Sequence, residues 1–208
     1  TAESGLISKL KNDITRFGCD ALSFNQRDTD KPKFETWFSL AEKKIAYTNK
    51  NNLSVVGHSM GGLLSLKLAE KYKIKKLILV APVGSKPSAD YFKLMGKKLK
   101  PQELQIFRDY QNRDLDIAKI KQNVQEIVFI FGLQDPWITQ EIRDFYINSF
   151  KDVAEIHVFE EYAHMSDSEG VKELPILREL FQKKLVAGVV EHKVERKKES
   201  PITSTAPV

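Results

Sequence analysis

The chain has 208 residues, 41% apolar, 29% charged and 10% aromatic. This is enough for one sizeable core, and it excludes wholesale disorder and a collagen-like repeat; Cys19, the single cysteine, excludes a disulfide scaffold as well. The formal net charge is +5, but the lysines fall in residues 71–76, 93–100 and 193–198 without a basic helix carrying interleaved aromatics, so they read as solvated surface and no nucleic-acid partner is expected.

No apolar run reaches the roughly 18 residues of a membrane span, so no membrane partner is expected, and no secretory signal is visible. A lone cysteine suits a reducing, cytoplasmic compartment and cannot build a cysteine-rich zinc site. Leu6, Ile7, Leu10 and Ile14 recur at helical spacing, closed by Gly18, and residues 19–24 read as a first strand. Phe34, Trp37, Phe38, Ala41 and Ile45 predict an amphipathic helix behind Pro32. Residues 53–56 read as a short buried strand. Residues 60–72, with Leu63, Leu64, Leu66, Leu68 and Ala69, predict a helix packed on the sheet, and residues 76–80 another strand.

The alternation then pauses. Residues 84–123 hold Gly84, Pro87, Gly96 and Pro101 among amphipathic pieces with Leu104, Phe107 and Leu115, which predicts a helical, lid-like insertion over the strand ends. It resumes with a strand at 127–131, a helix at 139–150, a strand at 154–159 and a helix at 171–185. Strands alternating with helices imply a mainly parallel sheet inside a three-layer α/β domain, here spanning residues 1–187. From residue 188 the chain turns polar, and residues 188–208 read as a disordered charged tail.

Gly57-His58-Ser59-Met60-Gly61-Gly62 lies between a predicted strand and a predicted helix, the context in which G-x-S-x-G forms a nucleophile elbow. On so tight a turn the serine is held strained with its Oγ out of the sheet, and the flanking positions favour residues with little or no Cβ. The helix behind it offers its positive end and the Met60 N–H to an oxyanion. The plainer alternative is a glycine-rich turn with an idle serine.

A serine hydroxyl needs a base, and the base an orienting carboxylate, from later strand ends. Asp135, in the loop after strand 127–131, is the candidate acid; an ordinary Asx-turn before Pro136 is the other reading. Of the four histidines, His58 sits on the elbow and reads as a neighbour shaping the pocket, His157 is mid-strand and His192 is in the tail. His164 follows the last strand and is the base by position and elimination, with a satisfied surface histidine as the alternative.

Together the elbow, the Gln134-Asp135-Pro136 turn and the Ala163-His164 loop resemble the α/β-hydrolase superfamily. More narrowly, Lys31-Pro32 with Glu35 and Trp37, Leu115-Asp116 with Ile120-Lys121, and Ser168-Glu169-Gly170 with Leu174-Pro175-Ile176 look like the small YdeN-like serine hydrolases, relatives of retinoblastoma-binding protein 9. The similarity spans residues 1–185. It implies Ser59 as nucleophile, His164 as base and then acid, Asp135 orienting His164, and neither metal nor organic cofactor. Ala163 stands where the family usually has glycine.

The superfamily also carries a strand and a His-Gly-type loop ahead of the first helix, which supply a second oxyanion donor. This chain starts at Thr1, almost at that helix, so both are expected to be missing from it; residues precede Thr1 in the natural protein, or this form is impaired, or residues 1–4 fold back to serve as the loop. The expected activity is an esterase-like serine hydrolase acting on a small ester, thioester or amide, with Tyr91, Phe92, Leu94, Met95 and Phe107 of the insertion, and His58, as substrate contacts. A lid packed plainly on the core would give those side chains no such role. The rivals are a non-catalytic protein-interaction module on the same scaffold, which leaves room for a protein partner, and an acyltransferase using the same triad.

Overall fold

The computed structural model of the chain describes residues 32–46, 48, 52–171, 173–182 and 187–192. The helix expected around Leu6 to Ile14, the strand at 19–24, and any oxyanion loop ahead of them lie outside the described residues. Phe34–Ala46 forms α1, Ser54–His58 β1, Met60–Ala69 α2 and Ile74–Val80 β2. Ala89–Met95 (α3), Pro101–Gln111 (α4) and Ile117–Asn123 (α5) fill the segment between β2 and β3, Val124–Gly132. Gln140–Phe150 (α6), Ala154–Phe159 (β4), a single 3₁₀ turn at Asp167–Glu169, Pro175–Gln182 (α7) and Gly188–His192 (β5) complete it.

The strands lie in the order β1-β2-β3-β4-β5, all parallel. Side chains alternate across the pleat. Leu77, Leu79, Ile127, Phe129 and Phe131 face a core closed by α1, α2, α5 and α6, whereas Ile78, Val80, Val128 and Ile130 face Leu177 and Leu180 of α7. Both sheet faces are therefore covered, which is why residues 77–80 of β2 and 127–131 of β3 read as unbroken apolar runs. α2 is apolar almost all round because it is enclosed almost all round: Leu63, Leu64, Leu66, Leu68 and Ala69 are all buried. On α1, Phe34 and Trp37 meet the Tyr110 ring of α4 edge-on at 5.2 and 5.7 Å, joining the insertion to the first helix layer.

Several boundaries differ from the sequence reading by a few residues, and three of the differences matter here. β2 begins at Ile74, two residues before the expected start, and Lys76, counted among the solvated lysines, is buried within it; it is 6% exposed, donates to the Leu180 carbonyl and pairs with Glu126 at 3.2 Å. A charge-paired lysine on the α7-facing side interrupts the apolar pattern that marks a strand. The last helix begins at Pro175, not at residue 171, because proline fits the first turn, where its missing N–H has no partner to lose.

The third correction concerns residues 188–192, which are strand β5 and not the start of a disordered tail. The β-branched pair Val189-Val190 suits extended backbone, and β4 offers an edge to pair with. His192 holds the pairing from the side: its ring stacks on Phe159 at 3.8 Å and 8°, and its Nε2 lies 2.9 Å from Nδ1 of His157, whose Nε2 bonds Glu155 at 2.7 Å. Replacing His192 by Ala removes one stacking contact of about 0.5–1.5 kcal/mol. Amide exchange of residues 189–192 is expected to speed up by about ten-fold; unchanged protection would mean that backbone pairing alone holds the strand.

Candidate active site

β1 ends at His58 and α2 begins at Met60, so Ser59 alone turns the chain. Its φ of 55° and ψ of −120° are costly for a residue with a Cβ, and the surroundings hold it there. Its N–H donates to the Val80 carbonyl at 3.0 Å, while its own carbonyl accepts from Gly62 N at 2.9 Å and Val83 N at 3.1 Å. A Cβ on Gly57 would lie 2.5 Å from the Gly61 carbonyl oxygen, and one on Gly62 2.6 Å from Pro82 Cβ. Gly61 has nothing within 4 Å of such a position. Of the two glycines that define the motif, Gly57 is therefore a spatial necessity and Gly61 is not; the second crowded position is Gly62.

Three side chains meet above the carboxyl ends of the strands. Ser59 Oγ is 2.9 Å from His164 Nε2, and His164 Nδ1 is 2.8 Å from Asp135 Oδ2. Asp135 follows β3, and its other oxygen, Oδ1, accepts the N–H groups of Trp137 at 2.7 Å and Ile138 at 3.0 Å. The Asx-turn reading was thus half of the story: one carboxylate oxygen closes the turn and the other faces the imidazole. The Asp135 side chain is 0% exposed and that of His164 is 12% exposed, so the carboxylate is dry while the imidazole edge reaches solvent. With Nδ1–H donated to the carboxylate, Nε2 presents its lone pair to the serine hydroxyl, an arrangement able to draw off the hydroxyl proton.

Met60 N opens α2 beside Ser59, and the Met60 carbonyl accepts the Tyr110 hydroxyl at 3.0 Å, tying α4 to the elbow. Burial raises the pKa of that phenol, so it remains a donor. His58 turns its Nε2 to the His164 carbonyl at 2.9 Å, with the two rings 5.0 Å apart. Burial pushes its imidazole below the usual histidine range, and the bond to the carbonyl offsets part of that.

The insertion's aromatic residues divide. Tyr91, Phe92 and Met95 are buried in the main core, because α3 turns its apolar stripe inward, and Tyr91 also donates its hydroxyl to the Trp137 carbonyl at 3.1 Å. Leu94 points outward at 38% exposure. Phe107 is only partly buried and reaches the Trp137 ring at 6.3 Å, which itself stands 6.5 Å from the His164 ring. An open groove of about 430 Å³ that includes Phe92, Lys86, Arg108 and Asp109 is not lined by Ser59, Asp135 or His164.

Sequence reasoning missed Trp137, Lys98, Tyr110 and Gly132. Lys98 donates to the Pro136 carbonyl at 2.6 Å and lies 5.3 Å from the Trp137 ring centre, strapping the insertion to the acid loop. Gly132 did carry a signal, since a glycine ending an apolar strand marks a close backbone approach. Among the described residues, no group of three or more His, Cys, Asp or Glu side chains could hold a metal ion, and no helix is long and apolar enough to cross a membrane.

A parallel sheet flanked by helices, with serine, acid and histidine on the loops that follow β1, β3 and β4, defines the α/β-hydrolase fold, and solved structures agree. The ydeN gene product from B. subtilis is similar with a TM-score of 0.65 and 19% identity, over 85% of this chain and 90% of that one. A lipase-esterase related protein from Clostridium acetobutylicum gives 0.53 and 14%, over 71% and 75% of the two chains. A carboxylesterase structure from Nitrososphaera gargenis gives 0.55 and 12%, over 77% and 79%. The serine hydrolase family profile matches residues 13–183, and the chain belongs to that family, as a hydrolase. No curated protein sequence matches it.

Proposed function

We propose that this hydrolase cleaves a small ester, thioester or amide, in the manner of a carboxylesterase, through an acyl-enzyme on Ser59. The observation that supports this most is the unbroken line of hydrogen bonds from Ser59 through His164 to a carboxylate with no exposed surface. His164 Nε2 takes the hydroxyl proton as Oγ attacks the substrate carbonyl, and the Met60 N–H receives the developing oxyanion. The same proton passes from Nε2 to the leaving group as its bond to the acyl carbon breaks. Water, deprotonated by His164, then attacks the acyl-enzyme, releasing the acid and restoring Ser59. Asp135 stays ionised throughout and holds Nδ1–H. A cytoplasmic setting fits the single cysteine.

A fluorophosphonate probe is expected to label the protein, and Ser59→Ala to abolish labelling and lower p-nitrophenyl acetate turnover by on the order of 10⁴-fold or more. Labelling that survives Ser59→Ala would remove the nucleophile assignment.

A further inference from the structure

We infer that His58 is a positioning residue for the base: its Nε2–H clasps the backbone carbonyl of His164 and so sets where the imidazole stands between Ser59 and Asp135. The inference rests on the reading of His164 as base. A carbonyl oxygen can only accept, so at 2.9 Å the His58 nitrogen must carry the hydrogen. His58 is the residue next to the serine, so serine and clasp ride on one rigid strand end: Ser54–His58 pairs with β2 along its whole length. The histidine loop meets them from 106 residues away.

The loop needs such a fixing. After His164 the chain reverses through Met165, at a φ of 55°, whose side chain is wholly buried in the core beneath α7. Met165 thus pins one side of His164, the bond to Asp135 holds the ring tip, and His58 holds the carbonyl between them. A hinge fixed at three points leaves the ring little freedom, and an error of about 1 Å in a reacting group can cost about 10²-fold in rate.

An imidazole suits this place better than a lysine. His164 must become cationic during the reaction, and its ring lies 5.0 Å from that of His58. The charged or titratable groups that bear on His58 are His164, Asp135 and Glu169; burial outweighs them and disfavours the cation. The clasp therefore supplies a donor without setting a second positive charge against His164.

The test compares His58→Gln, whose carboxamide nitrogen reaches about as far as Nε2, with His58→Leu and with His58→Asn, polar but one methylene shorter. Wild type should show a far-downfield proton resonance from His164 Nδ1–H; Leu and Asn should broaden or lose it, and Gln should keep it. With p-nitrophenyl acetate, Leu and Asn should lower kcat by roughly 10- to 100-fold at little-changed KM, with Gln restoring most of the loss. Asn covers the case in which Leu does not fold. A sharp resonance and full kcat in Leu or Asn, no such resonance in wild type, or no rescue by Gln overturns the inference. Failure of the proposed function looks different: the resonance follows this pattern, but turnover does not depend on Ser59.

Discussion

Asp135→Asn is expected to lower kcat by about 10⁴-fold while leaving the fold intact. The reason lies in how the two carboxylate oxygens are used. Oδ1 accepts two backbone N–H groups, from Trp137 and Ile138, and Oδ2 faces His164 Nδ1. An asparagine must keep its carbonyl oxygen toward the backbone donors, because turning the amide round would set an NH₂ against two N–H groups with no water to help. Its NH₂ then faces Nδ1, which must accept, and the imidazole proton moves to Nε2. That proton points at Ser59 Oγ, where a lone pair is needed. Steady-state kinetics with p-nitrophenyl acetate and the rate of fluorophosphonate labelling should fall together. A variant within ten-fold of wild type would leave Asp135 as a turn-former only.

Gly132→Ala should damage stability and turnover at once. A Cβ there would lie 2.1 Å from the Tyr162 carbonyl oxygen and 2.3 Å from that of Ala163, both backbone atoms that no rotamer change can move aside. The histidine loop crosses the end of β3 at van der Waals closeness and is stitched to it by Leu133 N to Phe159 O at 2.8 Å and Gln134 N to Tyr162 O at 3.2 Å. Making room means lifting the loop, and His164 is the next residue along it. We expect a loss of about 3 kcal/mol, a fall in Tm of roughly 6–12 °C, and a kcat lower by about 10²-fold. Gly61→Ala is the contrast for stability: with open space at that position and a helical backbone around it, Tm should hold or rise slightly. Equal melting temperatures for Gly132→Ala and wild type would show that the loop is not locked to β3.

Much of the site was legible because it rests on local rules. Ser59 announces itself through a strand, a tight turn and an apolar helix in sequence, a pattern that needs no knowledge of distant residues. Asp135 and His164 stood out by their places after apolar strands, and the structure brings them beside Ser59, since strands of a parallel sheet end on one side and their following loops gather there. Trp137, Tyr110 and Lys98 were not legible: each acts by a contact to a residue at least 38 positions away, and helical periodicity says only that a side chain faces inward. The same limit left two readings of the insertion open, since an apolar stripe on α3 reads alike whether it meets a substrate or the core, where Tyr91, Phe92 and Met95 lie. β5 was missed because five residues, three of them exposed, carry too little apolar signal to stand out from a charged segment.

The sequence alone determined the alternation of strands and helices from β1 to β4, the serine on its elbow and the class of chemistry, because these follow from periodicity, turn stereochemistry and the need of a hydroxyl for a base. Only the tertiary structure decided which glycines are sterically required, which oxygen of Asp135 faces the imidazole, and that His58 Nε2 meets the His164 carbonyl. Those are matters of two or three ångströms between segments far apart in the chain, and such distances are set by how the whole sheet packs, not by any stretch of residues within it.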